Sequence, residues 1–97
     1  MATYIALANF TEQGIRSVKD SAKRADAVKA MGTKFGVNMT DIFWTLGQYD
    51  MVTICEADSD EAIAAFGLAI GAAGNVRIQT LRAFTRGDMD AIVERLN

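Results

Sequence analysis

Three groups of side chains in this sequence could do chemistry. The first is the pair Tyr49 and Asp50, in the run Gly47-Gln48-Tyr49-Asp50. A phenol beside a carboxylate at a pocket mouth can exchange hydrogen bonds with a polar ligand, and an aspartate with a raised pKa can act as a general base. The same two residues also make sense as plain structure, the aspartate closing a turn and the tyrosine covering an edge with its hydroxyl in water. The second group is cationic: Lys23 and Arg24, Arg77, and Arg82. Together they could form an anion site, whereas singly they are solvated surface or members of ion pairs. Arg82 keeps the alternation of Ile78 and Phe84, so it points to an interior or pairs with an acid such as Asp41. A buried arginine needs a partner, and a bound anion competes for it with an internal carboxylate. The third group is weaker. Cys55 sits in an apolar run and reads as a small buried hydrophobe. Gly74-Asn75 reads as a helix stop, since one glycine is no phosphate cradle. Phe43 and Trp44 read as core, with one of them able to line a cavity.

What is absent narrows the field further. The chain has no histidine and a single cysteine. Ser-His-Asp and Cys-His mechanisms are therefore excluded within one chain, and neither a zinc site nor any cofactor motif is visible. With 97 residues, 51% hydrophobic, 23% charged and no proline, the composition is that of one folded domain spanning residues 1–97. The net charge of −2 gives no global pull toward nucleic acid. Arg16, Lys19, Lys23, Arg24, Lys29 and Lys34 do cluster in sequence, but acids are interleaved. The longest apolar run, residues 62–74, is interrupted by Gly67, Gly71 and Gly74 and is too short to cross a bilayer. The first residues lead straight into a strand pattern with no leader signature, and a lone thiol suits a reducing compartment. Together these point to a cytoplasmic protein.

The candidate residues need elements to hold them. Residues 3–9 alternate two largely apolar sets, which predicts a strand covered on both faces. Thr11 looks like an N-cap for one long helix over residues 12–35, with Ile15, Val18, Ala22, Ala25, Val28, Met31 and Phe35 as its buried stripe. Strands are expected over 37–46 and 51–57, reversing at 47–50, where Gly47 can take a positive φ. A second helix opens at Asp58, with Asp58 and Glu61 at capping-box spacing, and stops at Gly74-Asn75. A fourth strand covers 76–84. A short terminal helix covers 88–96, with Ala91, Ile92 and Leu96 inward. The order β-α-β-β-α-β plus a tail helix is ferredoxin-like: an α+β fold with a four-stranded antiparallel sheet and both helices on one face.

That arrangement leaves one sheet face uncovered. If Ile5, Leu7, Val52, Ile54 and Trp44 face the helices, then Tyr4, Ala6, Ala8, Phe43, Met51, Thr53 and Cys55 face away, and that second face is too apolar for water. The expectation is a homodimer with two sheets face to face, closing a dimeric α+β barrel, from which larger rings could be built. The alternative cover is the tail helix laid across the sheet.

Several segments resemble the GYD domain proteins in the same order along the chain. Gly47-Gln48-Tyr49-Asp50 resembles the G-x-Y-D signature. Asn9 through Gly14, the pair Lys23-Arg24, Gly74-Asn75-Val76-Arg77, and Thr80 through Phe84 resemble the rest of the family pattern. Ile78 departs from it, standing where many members carry threonine. The resemblance implies a dimeric α+β barrel and carries no established activity. The reading that follows is a self-associating module for a small ligand or a protein partner, with Tyr49, Asp50, Arg82, Arg77, Arg24 and Lys23 as candidate ligand contacts and no assigned catalytic residue. The alternative is a cofactor-independent enzyme, of oxygenase or isomerase type, acting on a small aromatic or carbonyl compound in a barrel pocket.

Overall fold

A computed structural model describes residues 1–97. Four strands, β1 (Ala2–Phe10), β2 (Val37–Trp44), β3 (Met51–Ala57) and β4 (Val76–Ala83), form one sheet in the order β2-β3-β1-β4. Every pairing is antiparallel. The helices are α1 (Glu12–Arg16), α2 (Ser21–Lys34), α3 (Asp60–Ala72) and α4 (Arg86–Glu94), with a 3-10 turn at Val18–Asp20. This is the ferredoxin-like α+β arrangement.

The expected long first helix is in fact broken. α1 ends at Arg16, and Ile15 and Val18, assigned to the buried stripe, are 51% and 41% exposed. Two interactions account for the break. The Arg24 guanidinium reaches back to donate to the Gly14 and Ser17 carbonyls and to Ser17 Oγ, so these acceptors are satisfied without helical continuation. Gly14, a poor helix former, is held against the α3–β4 loop. Other corrections are local. Ser59, not Asp58, caps α3, accepting from the Ala62 N–H. α4 starts at Arg86 rather than 88, because Thr85 and Asp88 form a reciprocal capping box that holds the Asp88 carboxyl below its usual range. No residue of α4 is buried, and Leu96, expected inward, is 82% exposed.

In β1 and β3 the sheet faces are the reverse of the sequence assignment, whereas Phe43 and Trp44 of β2 keep the sides expected for them. Tyr4, Ala8, Met51 and Cys55 are buried on the helix side; Tyr4 and Cys55 join Val37, Met39, Ala57, Ile63 and Phe66 in the core. Alternation alone could not choose between two apolar sets. What distinguishes them is Tyr4: a buried phenol needs a partner, and its hydroxyl donates to the Asp60 carboxylate at the start of α3. That bond holds the Tyr4 pKa above the ordinary tyrosine value, while burial pushes the Cys55 thiol up. In β2 a bulge between Met39 and Asp41 shifts the phase, leaving Trp44 paired with Met51 and Phe43 with Val52. Ile5, Leu7, Val52, Ile54 and Phe43 therefore face away from the helices.

Gly14 joins the two halves of the fold. A Cβ at this position would lie 1.9 Å from the Asn75 carbonyl oxygen, a distance no side chain tolerates. Gly71, on the exposed part of α3, has nothing within 4 Å. Gly14→Ala should therefore destabilise the protein by about 1–3 kcal/mol through overpacking, while Gly71→Ala should be neutral or stabilising by up to about 1 kcal/mol. Urea unfolding of the two variants checks the contrast.

Candidate functional site: the uncovered sheet face

The register fixes the makeup of the face away from the helices. Phe43, Val52, Leu7 and Gln79 lie in one row across the four strands, and Asp41, Ile54, Ile5 and Leu81 in the next. Beyond these, Asn38, Glu56, Thr3 and Ala83 make a third row. The centre is thus Phe43, Val52, Leu7, Ile54, Ile5 and Leu81, of which Phe43 is 53% and Leu81 41% exposed. Polar groups bound it: Asp41 and Glu56 toward one end, Asn9, Arg77 and Gln79 toward the other. An apolar centre with a polar rim is the makeup of a docking surface. α4 buries none of its residues and provides no lid.

The family-like tip sits at the rim. Gly47 adopts φ +101°, the positive value its position suggested. The Thr45 N–H donates to the Asp50 carbonyl at 2.8 Å, and its hydroxyl to the Tyr49 carbonyl at 2.6 Å. Asp50 then ties the hairpin to β1. Its N–H donates to the Ala8 carbonyl at 2.9 Å, and its carboxylate accepts from the Phe10 N–H at 2.9 Å. The Tyr49 hydroxyl donates to Gln79 Oε1 at 2.9 Å. With Gln48, Leu7, Asn9, Ile78 and Arg77, Tyr49 and Gln79 line a shallow depression of about 260 Å³.

Of the sequence-predicted contacts, the structure brings Tyr49 and Arg77 to this one corner. Asp50 lies beside them, with one carboxylate oxygen engaged by Phe10. The other candidates lie elsewhere. Arg82 pairs with Tyr4, its guanidinium 5.6 Å from the Tyr4 ring centre and 4.7 Å from that of Phe84, and donates to the Thr3 and Ala83 carbonyls. It does not pair with Asp41, which is on the opposite edge of the sheet. Arg24 belongs to the α1–α2 joint, and Lys23 is exposed on α2. Arg24 is thus engaged at the α1–α2 joint, Arg77 at the hairpin corner and Arg82 beside Tyr4. No group of three or more Cys, Asp or Glu gathers as a metal site, and no helix is long and apolar enough to cross a membrane.

The other family-like segments also meet. The Thr11 N–H donates to the Asn75 carbonyl at 3.1 Å and its hydroxyl to the Gly74 carbonyl. Gln13 Nε2 donates to the Ala73 carbonyl and to Asn75 Oδ1, both at 3.1 Å. Sequence reasoning treated Asn9 through Gly14 and Gly74 through Arg77 as separate markers; in space they are one joint.

The chain is thus a ferredoxin-like sheet protein with one apolar face bare and its motif residues built into the ends of the strands. Residues 4–93 match the GYD domain family, and the chain belongs to it. A protein of Thermus thermophilus named glutamine synthetase and cystathionine beta-lyase binding protein is 29% identical over 92 residues, covering 94% of this chain and 97% of its own length.

Losing the Asp50 carboxylate leaves the Phe10 N–H without its acceptor, so Asp50→Ala should cost about 1–3 kcal/mol. Tyr49→Phe removes only an exposed hydroxyl–amide bond and should cost less than about 1 kcal/mol. Chemical denaturation of both variants tests whether the motif aspartate holds the fold together.

Proposed function

We propose that this protein is a binding module without catalysis, which pairs with a second copy of itself through the uncovered sheet face and presents the resulting assembly to partner proteins. The observation that carries the reading is the composition of that face: six apolar side chains in register at its centre, with charges only at the rim. Leaving a few hundred Å² of such surface in water forgoes several kcal/mol at roughly 25 cal/mol per Å². A two-fold pairing is self-complementary, because Arg77 at one end of the face has acidic counterparts, Asp41 and Glu56, toward the other. Two sheets packed in this way close a dimeric α+β barrel, and larger rings can be built from such dimers.

The relative from Thermus thermophilus is named for two enzymes that it binds. By that likeness, glutamine synthetase and cystathionine beta-lyase from the same cell are the first partners to test, and the cytoplasm is the natural place to meet them. The rival reading, a small-molecule enzyme, calls for a tyrosine, an arginine and an aspartate converging on a pocket. Tyr49 and Arg77 converge, whereas Asp50 is committed to Phe10.

Val52→Lys places a charge at the centre of the face without touching the helix side. Light scattering is expected to give a multiple of the chain mass for the wild type and the single-chain mass for the variant. Surface plasmon resonance against the two purified enzymes should show binding by the wild type and at least about tenfold weaker binding by the variant. A wild type with single-chain mass overturns the pairing. Failure to bind either enzyme, with the pairing intact, removes those two partners and leaves the assembly.

A further inference from the structure

The helix side of the sheet holds a second feature, distinct from the proposed docking face. Between the sheet and helices α2 and α3 lies a cavity of about 340 Å³, the size of a small-molecule site. Most of its lining is apolar, with Ala6, Ala8 and Ile78 from the sheet, Met31 from α2, and Gly67 and Ile70 from α3. The small residues are what open it. A Cβ at Gly67 would have nothing within 4 Å, so even this glycine in the middle of a helix borders free space. A well-packed core leaves no such void.

Two of its polar groups, the Thr53 and Thr80 hydroxyls, come from the middle of the sheet beside Ala6, and the other three gather at one end. Ser21, Arg24 and Asn75 line the cavity and lie where α1, α2 and the α3–β4 loop meet. Arg24 donates to Gly14 and Ser17, and Gly14 is in backbone contact with Asn75. The guanidinium has no carboxylate partner, since the one ion pair in the chain joins Arg16 to Glu12. Its bonds to α1 come from the two terminal nitrogens and leave donor capacity over. Ser21 Oγ, at the same end, is shut from solvent and makes no hydrogen bond. A buried hydroxyl without an acceptor and a cation without an anion, both at one end of an apolar chamber, define an occupant.

We infer that this cavity binds a small amphipathic carboxylic acid, its hydrocarbon or aryl body between α2 and α3 and its carboxylate toward Arg24 and Ser21. The carboxylate supplies the charge that Arg24 lacks and an acceptor that Ser21 can reach by rotating about χ1. The body replaces empty volume with dispersion contacts. The site stands on the helix side of a single chain, so it does not depend on the pairing of sheet faces.

Decanoate and decanol, which share a chain and differ in the charged end, are suitable probes. Calorimetric titration of the full-length wild type is expected to show decanoate binding at least about tenfold tighter than decanol. Gly67→Leu fills the chamber and should abolish binding while leaving the thermal midpoint equal or higher. Methyl NMR of the wild type offers a readout that needs no variant. Decanoate should shift the methyls of Ala6, Ala8 and Ile78 and leave those of Ile5, Leu7, Val52 and Ile54 in place, and Val52→Lys should bind as the wild type does. No decanoate binding, equal affinity for the two probes, or shifts confined to the outward methyls would overturn the assignment.

Discussion

The constraint that governs this structure is a mismatch between sheet and helices. Both faces of the sheet are apolar, yet there is only one layer of helices. The shape reflects this, with principal extents of 52 × 31 × 17 Å, the shortest being about one sheet plus one helix layer. Only 11 of 97 residues are buried, and the radius of gyration is 14.5 Å, where a chain of this length packs to roughly 12–13 Å. A domain this thin has little core of its own. On the proposed reading, the missing half of the core comes from a second copy, and self-association is then part of the fold's energetics.

The family-like residues work mainly at the ends of the strands. Asp50 stitches the hairpin to β1, Thr11 and Gln13 stitch β1 to the loop before β4, and Gly14 lets that loop approach. The two ends of the sheet are thereby held in register, and the outward rows of side chains line up as a continuous surface. Leu81 apart, the segments that resemble the family pattern and the centre of the surface proposed to do its work are different sets of residues. Tyr49 and Arg77 stand at the boundary, fixed by the motif and available at the rim.

Much of this was legible in the sequence. The element order, the reversal at Gly47 and the helix stop before β4 follow from period changes and from residues with strong local preferences. β3 falls on Met51–Ala57, as its apolar pattern indicated. Face assignment was not legible, because both alternations of β1 are apolar and the decision rests on one long-range bond, Tyr4 to Asp60. The break in the first helix was hidden for the same reason: a continuous stripe is visible in sequence, whereas Arg24 reaching back to Ser17 and Gly14 is not. Among the candidate site residues, the closeness of Tyr49 to Arg77 depends on strand order, and Arg24 was noticed as a cation with no hint of the cavity it lines.

The central claim, that the outer sheet face is covered by another copy, is tested most directly by the thermal midpoint of the unmodified protein over a hundredfold range of its own concentration. If folding and pairing are linked, the midpoint rises with concentration, as mass action requires for any partner that binds only the folded chain. A midpoint independent of concentration, in a protein that sediments as a single chain throughout, would contradict the account.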